Sequence, residues 1–270
     1  MVPVDLAGWD NVTFRLGEDM SVRLPSGEGY ATQVAVEVQW LPWRAPRLPL
    51  PIPEPIAVGR PDETFPFPWS VCRWLPGSPA TDVHVGDLER LAVDLAGFLA
   101  SMWRIDPSGG PSPGPRNGFR GGALATYDDE TTSAVEALAG ELDADGAMAT
   151  WRAALATSWD RPAVWVHGDI TGSNLLIVDG RLHAVIDFGC VAVGDPACDL
   201  TIAWTLFAGN SRRTFRHHLQ LDDATWARAR GWALWKALIT LHDDGNGSAP
   251  RRFGWRDTPR DLIDDLLNHP

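Results

Sequence analysis

Between His167 and Gly189 the chain reads His-Gly-Asp-Ile-Thr-Gly-Ser-Asn-Leu-Leu-Ile-Val-Asp-Gly-Arg-Leu-His-Ala-Val-Ile-Asp-Phe-Gly, with three hard oxygen-bearing side chains at a chemically useful spacing. Asp169 stands five positions before Asn174, and Asp187 closes the segment ahead of Phe188-Gly189. Asp179-Gly180 lies between the apolar runs Leu175–Val178 and Leu182–Ile186, which predicts a hairpin with a two-residue turn. In such a hairpin Asn174 starts one strand and Asp187 ends its antiparallel partner. Both then sit at the same open end, beside the loop that carries Asp169. Oxygen ligands gathered this way suit a magnesium ion and the phosphates it bridges. A further Asp beside them can accept a proton from a hydroxyl. The chemistry in outline is phosphoryl transfer.

Those side chains need elements to hold them. Val12–Leu16 and Met20–Leu24 flank Gly17-Glu18-Asp19 and predict a hairpin within a β-rich start. A helix is expected from about Gly29 to Leu41, with Val34, Val38 and Leu41 on one face, Glu37 beside them and Pro42 ending it. Prolines recur from Pro42 to Pro68 but alternate with Leu48, Leu50, Ile52, Ile56, Val58 and Phe65, so an extended, packed crossing segment is expected rather than a disordered linker. Trp69–Trp74 reads as a strand leading to the turn Pro76-Gly77. A helix from about Gly86 to Arg104 follows from the spacing of Leu88, Leu91, Leu95, Phe98, Leu99 and Met102. Pro107 to Gly122 is dense in Pro, Gly and Ser and is expected to be the most mobile part. Helices resume near Ala123, one spans about Gly146 to Trp159, and Val164-Trp165-Val166 is a strand before the motif. Helices at about 196–208, 222–241 and 258–268 finish the chain, with Asp195 capping the first of them ahead of Pro196. Lys236, the single lysine, stands among Trp232, Leu234, Trp235 and Leu238 and reads as a snorkelling surface residue; His183 reads as structural.

Composition bounds the partners. The 270 residues, 44% hydrophobic and 21% charged, can bury a large core. No basic, apolar leader opens the chain and no run reaches the roughly 20 apolar residues of a membrane span, so a cytoplasmic protein without a membrane partner is expected. Cys72, Cys190 and Cys198 lack metal-ligand spacing and read as reduced core thiols. The 14 tryptophans are scattered, which points to packing rather than a binding platform. A net charge of −12 disfavours nucleic acid as a partner and suits a cationic small molecule, for which Asp222, Asp223, Asp243 and Asp244 are candidates. The bland alternative, solvated charges on a soluble protein, stays open.

Protein kinases place a base Asp five positions before an Asn and a metal-binding Asp in Asp-Phe-Gly. With His167-Gly168-Asp169 in place of the kinase His-Arg-Asp, the pattern resembles the aminoglycoside phosphotransferase family of small kinase-like enzymes. Gly194–Leu200, Asn11–Gly17 and Trp74–Gly77 resemble that family too, over about Gly8 to Trp235. The resemblance implies an α+β, protein-kinase-like two-lobed fold. Residues 1–75 would form a small β-rich nucleotide-binding lobe and 76–270 a larger, mostly helical catalytic lobe, with the active site between. It implies transfer of a γ-phosphoryl group from ATP or GTP, with Mg²⁺, to a hydroxyl of a small molecule such as an antibiotic. Asp169 would be the base, Asn174 and Asp187 the metal ligands, and His167 and Asp199 supports of the catalytic loop. Arg23 would stand where the family has lysine, paired with Glu37. The turn at Gly8–Asn11 would cover phosphates, and backbone at Arg73 and Leu75 would hold adenine. The helical segment that usually precedes the first strand is expected to be missing. A metabolite kinase for choline, a sugar or an amino acid is one alternative reading, and a non-catalytic nucleotide-binding module is another.

Overall fold

The computed structural model describes residues 1–4, 10–245 and 258–269. Strands β1 (Val2–Pro3), β2 (Asn11–Leu16) and β3 (Met20–Pro25) open the chain. Leu16 pairs with Met20 across the three-residue turn, which fixes the register and sets Arg23 opposite Thr13. Helix α1 (Glu28–Arg44) follows, then β4 (Pro55–Gly59) and β5 (Trp69–Arg73). Together they form an antiparallel five-stranded sheet in the order β1-β2-β3-β5-β4.

Helix α1 does not stop at Pro42 but carries it in its last turn. A proline there removes only the hydrogen bond to the carbonyl four residues back, and packing of the final turn outweighs that loss. The reason lies in Arg44, which is fully buried with its guanidinium 3.5 Å from the centroid of the Trp165 ring. Burial lowers the Arg44 pKa to about 9. The inner stripe of α1 is Gln33, Val34, Glu37, Leu41 and Arg44, a helical spacing occupied largely by polar side chains. The proline-rich stretch after it packs only in part: Ile52 is buried and Pro51 accepts a hydrogen bond from the Val185 amide at 3.1 Å, but Ile56 and Val58, expected to pack, are exposed on β4, which lies at the edge of the sheet.

The rest of the chain is mostly helical. Short β6 (Ser78–Pro79) leads to α2 (Leu88–Trp103), whose N-terminus is capped by Asp87 accepting from the Arg90 amide at 2.9 Å. Then come α3 (Asp128–Ala137), α4 (Ala144–Leu155) and β7 (Val164–Val166). The motif hairpin is β8 (Leu175–Val178) and β9 (Arg181–Val185), with Asp179 and Gly180 both at positive φ, as its two-residue turn demands. β6 joins its outer edge, while β10 (Ala192–Gly194) pairs with β7. A 3₁₀ stretch, Pro196–Thr201, precedes the short α5 (Ile202–Thr205), so the single helix expected over 196–208 is broken. The amides of Leu206 and Phe207 both donate to the Ile202 carbonyl and close it. Next comes α6 (Gly209–Leu219), absent from the sequence reading, and after it α7 (Asp223–Gly245) and α8 (Pro259–Asn268).

The core runs through the helical region and is filled by Trp151, Trp165, Trp204 and Trp232, each nearly inaccessible, in keeping with a packing role for most tryptophans. The three cysteines are free thiols. Among the described residues no helix is long and apolar enough to cross a membrane.

Candidate active site

The catalytic strip is held by its own backbone. Gly168 sits at φ +87°, where a Cβ would meet the Cys190 carbonyl oxygen at 2.5 Å, so no residue with a side chain fits between His167 and Asp169. The fully buried Asp199 accepts hydrogen bonds from the amides of His167 (2.8 Å) and Gly168 (2.7 Å). Burial pushes its carboxyl up to about 7, against the pull of those two amides. The His167 ring lies 4.4 Å from Phe188, its Nε2 bonds the Ile186 carbonyl at 3.0 Å, and its Nδ1 accepts from the Asp169 amide at 3.2 Å. That assigns the proton to Nε2 and leaves a neutral ring, whose pKa burial lowers to about 4.

Asn174 and Asp187 flank the open end of the hairpin. The Asn174 Nδ2 donates to the backbone oxygen of Asp169 at 2.9 Å and to its carboxylate at 3.1 Å, which turns the Asn174 Oδ1 away from Asp169. Asp187 is held at φ +68°, and its Oδ1 is buried without a hydrogen bond, 3.7 Å from an Arg23 nitrogen. Burial raises the Asp187 pKa to about 7, with Arg23 opposing and Asp10 and Asp169 adding to the rise. Arg23 Nη1 reaches both oxygens of Glu37, at 2.9 and 2.8 Å, and this pair is nearly inaccessible. The strand cation and the helix carboxylate therefore meet directly above Asp187.

Two participants carry no local sequence signature. Asp10 accepts from Gln33 Nε2 at 2.8 Å and lies close enough to Asp169 and Asp187 for their charges to interact. Burial raises its pKa. Asn11 begins β2, half-buried and opposite Pro25. Gly8 and Trp9, the rest of the expected phosphate turn, lie outside the described residues. At the expected hinge the Arg73 amide already donates to the Glu54 carbonyl (3.1 Å) and the Trp74 amide to the Asp19 carbonyl (2.7 Å). Strand pairing has thus consumed the Arg73 N–H, and Leu75 is the hinge residue whose amide makes no hydrogen bond to another described residue.

The acidic candidates for substrate do not gather at Asp169. Asp222 caps α7 by accepting from the Thr225 amide and hydroxyl and pairs with Arg161, while Asp223 lies in the first turn of α7. Trp232, Ala233, Trp235 and Lys236 of the same helix line a pocket together with Asp169. Thirteen residues of helix separate Asp223 from Lys236, about 20 Å at 1.5 Å per residue. Asp243 lies beyond Lys236, next to His242, and the side chain of Asp244 is outside the described set. Lys236 is half-buried and lines the cleft next to Asp169, with its Nζ 5.7 Å from the Trp235 ring centroid, instead of reaching outward from the surface. Arg120 stands beside it, over Trp232 and Trp235 at 5.2 and 5.1 Å.

The loop from Pro107 to Gly122 is tied to this site. Arg116 donates to the carbonyls of Gly189 (3.2 Å) and Val191 (3.0 Å), just after Asp187. Val193 donates to Pro111 and Asp195 to Gly121, both at 2.8 Å, and Asn117 is fully buried. Asp195 also accepts from the Ala197 amide at 3.0 Å and pairs with buried Arg228 at 2.6 Å, which ties α7 to the same turn. A hollow of about 460 Å³ near Trp43, Arg47 and Arg104 is larger than the small pocket bordering Asp169 but holds none of the motif residues.

The model of the phosphotransferase enzyme family matches residues 3–232. Among solved structures, the GDP and kanamycin complex of an APH(2″) enzyme is 18% identical with a TM-score of 0.69, covering 97% of this chain and 88% of that one. A streptomycin and ATP ternary complex of a second APH(2″) enzyme is 18% identical with a TM-score of 0.59, over 97% and 88%. The macrolide 2′-phosphotransferase of Brachybacterium faecium is 20% identical with a TM-score of 0.61, over 100% and 91%. No curated protein matches. The β-rich N-terminal and helical C-terminal regions are those of the kinase-like fold in these neighbours.

Proposed function

The chain belongs to the phosphotransferase enzyme family, and on that premise we propose that it moves the γ-phosphoryl group of ATP or GTP to a hydroxyl of a small molecule. The boundary between nucleotide-binding and acceptor-binding parts falls at residues 75/76, two residues past the end of β5 at Arg73 and just ahead of Pro76-Gly77. The observation that carries the reading is the junction of Asp169, Asn174 and Asp187: one carboxylate bonded to the amide, another with a buried oxygen that makes no hydrogen bond.

That Asp187 Oδ1, free of hydrogen bonds, with the Asn174 Oδ1 at the same end of the hairpin, fits a magnesium ion that takes few protein ligands and completes its shell from phosphates and water. Among the described residues no three His, Cys, Asp or Glu side chains could hold a metal by themselves, which suits a cation that arrives with the nucleotide. When bound, it would bridge phosphate oxygens and neutralise their charge. Asp169 orients the acceptor hydroxyl and takes its proton as the new P–O bond forms and the nucleoside diphosphate leaves. Arg23 contacts phosphate from the sheet side, held in place by Glu37. Asp199 and His167 keep the Asp169 loop rigid. Neighbours solved with GDP or ATP, and with kanamycin or streptomycin, support a nucleotide donor and an antibiotic-sized acceptor. A metabolite kinase of the same fold is the second reading, favoured by the cations Arg120 and Lys236, rather than acids, on the α7 side of Asp169.

The test is nucleotide consumption with a panel of hydroxylated antibiotics and metabolites, with and without magnesium. Asp187→Ala should weaken metal–nucleotide binding more than Asn174→Ala, because it removes a charge. Full activity in chelator, or an unchanged metal response in both variants, would overturn the assignment.

A further inference from the structure

Beside Asp169, on the side away from the sheet, lies a niche of about 30 Å³. That is room for one small group and not for a sugar ring. The loop residue Arg120, Thr205 at the end of α5, and Trp232 and Lys236 of α7 line it together with Asp169. Three of these present donors with nothing to donate to. The Arg120 Nη1, the Thr205 Oγ1 and the Trp232 Nε1 are buried without a hydrogen-bond partner. Thr205 and Trp232 are 3% and 2% exposed, so solvent does not serve them. Arg120 forms no ion pair with a described residue and rests on the faces of Trp232 and Trp235. Trp235 spends its own N–H on Glu130 at 2.7 Å and so leaves the niche to the other three.

Buried donors call for an acceptor. A hydroxyl would satisfy one of them, and an ammonium would satisfy none while facing Arg120. A compact anion with several lone pairs can accept from more than one donor and gains from the guanidinium charge. Resting on the phosphotransferase reading above, we infer that this niche binds a carboxylate of the acceptor substrate, so that the enzyme acts on a hydroxy acid rather than on a polycation. The small volume adds a constraint. The carboxylate sits in a recess next to the Asp169 carboxylate, so the hydroxyl to be phosphorylated must lie only a few bonds from it. Arg120 also offsets the repulsion that a second carboxylate near Asp169 would bring.

The probe is D-glycerate, which carries a carboxylate next to hydroxyls, compared with neutral glycerol, cationic ethanolamine and inorganic phosphate. Calorimetric titrations are run on the full chain, with and without magnesium and a non-hydrolysable ATP analogue. Glycerate is expected to bind at least tenfold more tightly than glycerol or ethanolamine and more tightly than phosphate. Arg120→Met should abolish that preference, and Trp232→Phe, which keeps a smaller aromatic ring but removes the N–H, should weaken glycerate several-fold. Tighter binding of phosphate than glycerate would overturn the carboxylate assignment. Equal binding of glycerate and glycerol, preferential binding of ethanolamine, or an unchanged glycerate affinity in both variants would overturn the niche altogether. Failure of the ATP analogue to bind while glycerate still binds through Arg120 would count against the phosphotransfer reading alone.

Discussion

Toward the β-sheet, the charged groups around Asp169 come in closed sets: Arg23 with Glu37 and Asp187, Asp10 with Gln33. Toward α7, Arg120, Thr205 and Trp232 keep donors that nothing in the described chain accepts from. The first side leaves only acceptors open, one Asp187 oxygen and the Gln33 Oε1, as suits a site that receives a metal ion with its phosphate donor. The second is incomplete in the opposite sense, short of acceptors, and its chemistry is finished by whatever binds there. A cleft can thus have one wall fixed by the reaction and another fixed by the acceptor.

Asp169 lies where the walls meet, and its replacement should produce the largest effect. Asp169→Asn is expected to lower kcat by about 10²–10⁴ while nucleotide affinity stays as it was. A parallel loss of nucleotide affinity would move Asp169 to the sheet side and blur the contrast.

Arg23 tests the closed side. Arg23→Ala leaves Glu37 buried and unpaired, so a stability loss of about 3–5 kcal/mol is expected, with a higher nucleotide KM and a lower kcat. Arg23→Lys should restore much of the kinetic loss because the charge returns. The double variant Arg23→Ala/Glu37→Gln should recover stability but not kinetics. Unaltered kinetics in folded Arg23→Ala would mean that backbone near Asp10 and Asn11 holds the phosphates instead.

The smallest effect belongs to the loop that joins the walls. The folded pKa of His167 is lowered to about 4, against an unfolded value near 6.5, so between those limits the unfolded chain binds a proton that the native chain refuses. The His167 contribution to stability should therefore be complete above pH 6.5 and lost as pH drops, by about 2 kcal/mol at pH 5, whereas Asp187 and Asp199, whose carboxyls burial raises to about 7, act in the opposite sense over the same range. Denaturant titrations of the parent and of His167→Asn at pH 7 and pH 5 check this: between those pH values the parent should lose about 2 kcal/mol relative to the variant. An identical pH response in the two proteins would remove His167 from the acid sensitivity.

Much of this was legible because it is local. The hairpin follows from Asp179-Gly180 between apolar runs, and α2 from an unbroken apolar stripe. Helix α6 was not, since only Phe215 and Leu219 mark its inner face and buried Arg212 does the rest by bonding the Ala203 carbonyl and pairing with Asp265. The loop 107–122 has the composition of a mobile segment, but its hydrogen-bond partners are set by contacts some 70 positions away, at Gly189 and Val191. Gln33 and Arg120 escaped for the same reason, and Asp10 was legible only as part of the Gly8–Asn11 turn, not through its bond to Gln33. No spacing rule connects Arg120 to Thr205 and Trp232, which only the fold brings together. The net charge of −12 pointed toward a cationic ligand because it averages over a surface, whereas the niche has the opposite sign.

Gly121 and Gly194 touch backbone to backbone: a Cβ on Gly194 would lie 2.1 Å from the Gly121 oxygen, and the Asp195 amide donates to that same oxygen. Arg120 is the next residue along, anchored by main-chain contacts that ignore its side chain. Position 120 therefore behaves as an interchangeable fitting on a fixed mount. A lineage carrying this scaffold could trade one acceptor molecule for another through a single codon there, while Asp169, Asn174 and Asp187 went on doing the same chemistry.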